Sequence, residues 1–266
     1  YWNTLAASQF LRNDIHDSIE SSEYSIAINP NDDEALLNKA NGLFTLGNYQ
    51  EALKYYERYT DVGNHALGIA FQAVVLMALK QYPKARKMLE SSINEMDPSD
   101  ENLIEVTRQL CLCLSSMKET EEAQQWADSM FLLKDVAPWQ IHVFKGYLYM
   151  LASNLSGAQV CFNKAVMTAP SLTKAVISIC MALHDCQQYG YAYSMHNFIL
   201  QTTDEEVRIG FAYLADDCLH LNAIDDYKKY LRIACRVNPD EVGYVFADQI
   251  PDNIRPEDYW KIVCNE

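Results

Sequence analysis

Glycine and proline are scarce in this 266-residue chain, at 9 and 8. A fold made of many tight turns, such as a β-sandwich, needs more of both, so the shortage points to long helices. Positive charge is also short. Only 21 Lys and Arg face 36 Asp and Glu, leaving a net charge of -15. Such a surface repels phosphate backbones and anionic headgroups, so neither nucleic acid nor a membrane surface is expected as a partner. No apolar run reaches the ~18 residues that read as a membrane-spanning helix. The longest, Ala66 to Leu79, contains Gly68 and Gln72 and then meets Lys80. It reads as a buried helix.

Recognisable catalytic motifs are missing too. There is no His-Glu-x-x-His, no Gly-x-Ser-x-Gly, no phosphate loop and no dinucleotide fingerprint. The eight cysteines form no Cys-x-x-Cys pair and read as buried thiols of a reducing compartment, with disulfides of a secreted chain as the alternative. None of the six histidines lies three or four residues from another, the spacing that would put two on one helix face. His142 and His196 fall on core-facing positions. The pairs Asp216-Asp217 and Asp225-Asp226 read as solvated faces. These readings imply no metal, no cofactor and no enzymatic activity.

What is present is a period. Nearly half of the residues are apolar, enough for a large core. Leu46-Gly47-Asn48-Tyr49-Gln50-Glu51-Ala52 is a turn between two apolar helices, and the slot of Ala52 recurs at Ser18, Ala85, Ala123, Ala158, Ala192 and Tyr227. A second small slot lies twelve residues earlier each time: Ala6, Ala40, Ala73, Cys111, Gly146, Cys180 and Ala215. Small side chains at two facing positions let antiparallel helices approach closely. Polar pairs lie between the slots: Asn13-Asp14, Lys80-Gln81, Lys118-Glu119, Ser153-Asn154, Gln187-Gln188 and, with one apolar partner, Asn222-Ala223. The largest step, 38 residues between Ala85 and Ala123, implies a longer connection over Met96 to Glu101 or a longer helix. Ser99, Ser171 and Thr203 are N-cap candidates, the last with Glu206 as a capping box.

The pattern resembles the tetratricopeptide repeat family. Ala40, Gly47, Tyr49, Ala52 and Tyr56 stand where that family has its small and aromatic signature, and Gly146, Tyr149, Ala158, Phe162, Ala165 and Pro170 repeat it. The resemblance implies an all-α fold, a right-handed superhelical solenoid of about seven helical hairpins. The units run about 1–32, 33–65, 66–103, 104–138, 139–172, 173–207 and 208–239. Residues 240–266, with short helical segments at Val242 to Phe246 and Glu257 to Val263, then form a C-terminal capping helix or a linker. The chain begins at Tyr1 inside a repeat and reads as a processed product or an excised fragment.

The first helix of each hairpin is expected to line a concave groove. Repeat phase places Leu37, Asn41, Phe44, Ala70, Val74, Met77, Arg108, Leu112, Ser115, Val143, Tyr147, Met150, Ile177, Met181, His184, Ala212, Asp216 and Leu219 on it. Family members that clamp the acidic tail of heat-shock chaperones carry lysine, asparagine and arginine at these positions. Here only Asn41 and Arg108 agree, so no such clamp is expected. The groove reads as apolar and Met-rich, suited to adaptable peptide contacts. Burial of these residues against one another is the alternative. The expected function is a non-catalytic interaction scaffold for a protein or peptide partner, apolar or basic, with the chain a monomer or weak homodimer. The alternative is the regulatory or sensor arm of a larger signalling or secretion-related protein. A cytoplasmic location is expected, with a periplasmic or exported one after signal removal as the alternative.

Overall fold

The computed structural model describes residues 1–63, 65–133, 136–203, 206–251 and 254–264. Among them lie sixteen α-helices, two single 3-10 turns and no strand. The chain divides into two compact units, Tyr1–Asp135 and Val136–Glu266.

The first unit contains four helical hairpins. They are α1 (Trp2–Leu11) with α2 (Ile15–Ile28), α3 (Asp33–Thr45) with α4 (Tyr49–Val62), α5 (His65–Ala78) with α6 (Tyr82–Glu95), and α7 (Leu103–Ser116) with α8 (Thr120–Ser129). Each helix packs on its chain neighbour, and α1 also meets α3, as α5 meets α7. The second unit contains α9 (Pro138–Leu151) with α10 (Leu155–Thr168), α11 (Leu172–Asp185) with α12 (Tyr189–Thr202), and α13 (Phe211–His220) with α14 (Ile224–Val237). After them come α15 (Pro239–Val245), a 3-10 turn at Pro256–Asp258 and α16 (Tyr259–Cys264). In this unit α11 meets both α9 and α13.

The small slots are where the helices of a hairpin meet. Ala6, Ala40, Ala73 and Cys111 are fully buried, and so are Ser18, Ala52, Ala85 and Ala123 opposite them. In the first hairpin the contact is direct, since the Ser18 hydroxyl donates to the Ala6 carbonyl at 2.8 Å. In the fifth a Cβ added at Gly146 would lie 2.3 Å from the ring of Phe162. That slot must stay empty because the Phe162 ring of α10 fills the space a Cβ would need.

Every hairpin turn has one backbone form. Asn13, Gly47, Lys80, Lys118, Ser153, Gln187 and Asn222 all have φ between 58° and 75°. Each donates its N–H to a carbonyl three residues back, and the next residue reaches five back. Gly47 to Phe44 and Asn48 to Leu43 are one example, Lys118 to Ser115 and Glu119 to Leu114 another. This is the left-handed helix stop that satisfies the last orphan carbonyls.

Some local expectations change. The long step is a longer connection, since α6 ends at Glu95 and α7 starts at Leu103. Ser99 does not cap α7. It donates to Asp97 in the connecting turn, and Asn102 stands at the helix start. Thr203 closes α12 and begins nothing, because the next helix waits until Phe211. The capping box with Glu206 is therefore absent. The carboxylate of Glu241 instead accepts from the N–H groups of Gly210 and Ala212 at the start of α13. Ser171 does cap α11, accepting from the Lys174 N–H.

Candidate functional site

In the first unit, neighbouring first helices leave a cleft of about 260 Å³. Asn41 and Phe44 of α3 form one wall. Ala70, Phe71 and Val74 of α5, with Glu105 and Gln109 of α7, form the rest, and Tyr56 of α4 closes the base. The Tyr56 hydroxyl donates to Asn41 Oδ1 at 2.7 Å, and its ring stacks on Phe71 with centroids 5.3 Å apart. Burial pushes the Tyr56 hydroxyl well above its usual range, so it remains a donor. Gln109 donates to Glu105 at 2.6 Å. The result is an apolar floor with an amide and a carboxylate at its edges.

Of the residues expected on this face, Asn41, Phe44, Ala70 and Val74 come together there. Leu37, Met77 and Leu112 are half-buried, Ser115 is buried and Arg108 is exposed, and none lines the cleft. Sequence phase missed Phe71, Glu105 and Gln109 for a geometric reason. A groove lies between two helices, so it takes one edge of the first and the opposite edge of the next. Repeat phase names the same edge on every helix. The signal was available: Phe71 and Gln109 both stand two residues before a small slot.

In the second unit, Val143 and Ile177 are buried at 8% and 2% exposure, and Ala212 is fully buried. These three belong to the core and offer no surface to a partner. Tyr147, Met150 and Met181 are half-buried and pack on that core. His184 and Asp216 enter a polar cluster between α11 and α13. His184 Nδ1 donates to Asp217 Oδ1 at 2.8 Å, with His184 Nε2 3.6 Å from Asp216 Oδ2. His220 Nδ1 lies 3.2 Å from the same Asp216 oxygen and stacks on Tyr189 at 4.0 Å between ring centroids. Tyr213 meets His184 edge-on at 5.0 Å. Gln249, after α15, also bonds Asp216.

The reading of Asp216-Asp217 as a solvated face is therefore wrong. Both are buried, because α13 begins with eight consecutive buried residues from Phe211 to Cys218. Burial raises both carboxyl pKa values against the opposing pull of the histidines, that of Asp217 to about 6. Burial works against a charged His184, but its bond to Asp217 and the charges of Asp217, Asp216 and Asp185 outweigh that and raise its pKa. His196 is fully buried with neither ring nitrogen hydrogen-bonded, and burial lowers it to about 4. Among the described residues no group of three or more His, Cys, Asp or Glu has the arrangement of a metal site. None of the eight cysteines forms a disulfide among the described residues, and no helix among them is long and apolar enough to cross a membrane.

Stacked antiparallel helix pairs with small residues at each crossing and one repeated turn define an α-helical repeat protein. Residues 33–62, the α3–α4 hairpin, match the tetratricopeptide repeat family model. Two solved structures share the fold. One is a tetratricopeptide repeat protein from Parabacteroides merdae ATCC 43184, at 14% identity and TM-score 0.51, covering 89% of this chain and 92% of that one. The other is the C-terminal part of a TPR repeat-containing protein from Cytophaga hutchinsonii, at 13% identity and TM-score 0.50, covering 89% and 95%. At these identities the likeness concerns the fold alone. No curated protein matches the sequence. Repeats of this family generally mediate protein–protein interaction.

Proposed function

We propose that this chain is a non-catalytic scaffold that holds a segment of a partner protein on the first-helix face of its first unit. The observation that carries this reading is the cleft between α3, α5 and α7, where Phe44, Phe71 and Val74 stand half-buried beside hydrogen-bonding groups. An apolar anchor site ringed by polar groups is how a short segment is held with both affinity and register. The Met-rich face of the second unit has a smaller share in this reading, because much of it is core. Val242, Phe246, Ile250 and Tyr259 act as a cap on α13 and α14, and eight thiols outside any disulfide support a reducing compartment.

The test is selection of random peptides displayed on phage against the whole chain. Binders are expected, and Val74→Asp, which puts a carboxylate on the apolar floor, is expected to weaken them at least about tenfold. Far-UV circular dichroism should stay unchanged. Binders that ignore the substitution would defeat this reading of the cleft.

A further inference from the structure

We infer that the cleft of the first unit selects a segment in which one large apolar side chain stands next to a lysine or arginine. This rests on the reading of the cleft as a peptide site and goes further by naming the chemistry of the partner. The size is the first reason. At about 260 Å³ the cleft is smaller than the ~300–1,000 Å³ of pockets that enclose a small-molecule ligand, and suits a single side-chain anchor. The walls are the second. Phe44, Phe71 and Val74 keep part of their surface exposed, so an aliphatic or aromatic anchor gains contact area there.

Charge is the third reason and the decisive one. Glu105 is half-buried at the edge of this apolar wall, and its bonded neighbour Gln109 is neutral. No cation pairs with Glu105 among the described residues. The contrast lies on α6 and α8, where Glu90, Glu119 and Glu122 all converge on Arg86. In a chain with 15 more acids than bases some carboxylates stay without a counter-ion, and Glu105 is one beside a cleft. A cation brought by the ligand gains most from such a carboxylate, because apolar walls reduce screening, and a guanidinium also stacks on Phe44 or Phe71. Tyr56 occupies Asn41 Oδ1, which leaves the Asn41 amide N–H groups to donate to a carbonyl of the segment.

The experiment sorts the phage-displayed peptides by their loss on Val74→Asp, or on Val74→Gln should the aspartate unfold the unit. Among the sensitive peptides, lysine or arginine is expected at a fixed offset from a large apolar residue. Glu105→Gln is expected to weaken these about fivefold and to flatten their salt dependence, while Glu105→Lys should select aspartate or glutamate at the same offset. Val74-sensitive peptides without basic enrichment, or indifferent to Glu105→Gln, would overturn the charge inference and leave the cleft as a peptide site. If no Val74-sensitive peptide is selected, both readings fall.

Discussion

Single residues decide the hairpin turns. The seven hairpin-turn positions adopt a left-handed backbone, and among them only Gly47 has no Cβ to strain there. Lys80, Lys118, Ser153 and Gln187 hold the same conformation at a cost of ~1–2 kcal/mol each. The cost is tolerated because each turn closes two backbone hydrogen bonds on the preceding helix. Lys118→Gly is therefore expected to stabilise the chain by about 0.5–1 kcal/mol, after the extra freedom of glycine in the unfolded state is deducted. A thermal melt should rise by about 1–4 °C; an unchanged or lower midpoint would show that the turn is not strained. The turn positions were legible in the sequence as polar pairs at the repeat spacing. Their backbone form was not, because lysine and glutamine rarely mark a left-handed residue.

Between elements, the α11–α13 contact is a pH-dependent one. Asp216, Asp217 and His184 all hold their protons more tightly when folded than when unfolded. Stability from such groups is present in full below their unfolded pKa and is lost as pH rises through the folded one. For Asp217 that window runs from 3.8 to about 6, and for His184 it lies above 6.5. His196 acts in the opposite sense: its contribution is present above 6.5 and is lost as pH falls toward about 4. Asp217→Asn keeps a hydrogen-bonding group opposite His184 and removes the buried charge. It should melt with the parent chain at pH 4 and about 5 °C above it at pH 8. Equal midpoints at pH 8 would show that the carboxylate carries no burial cost. This cluster joins residues 33 apart on different helices, so a search for histidine pairs along one helix passes over it.

For the chain as a whole, burial at its C-terminal end carries a further expectation. Val242, Phe246, Ile250 and Tyr259 enter the core built by α13 and α14. Removing residues 239–266 should expose that core, lower stability by roughly 3 kcal/mol or more and raise binding of an apolar dye. A truncated chain that melts like the parent would overturn the proposed cap. The helices, their pairing and the close approach at each hairpin follow from the amino-acid order, because they depend on a local period and on side-chain size at two slots. Ala6, Ala40, Ala73, Ala52 and Ala85 are buried where that period puts them. Which faces stay open and which become core is set by helix packing across the fold. Whether Val74 lines a cleft and Ile177 is buried depends on how neighbouring helices rotate against each other, and the repeat phase holds no record of that rotation.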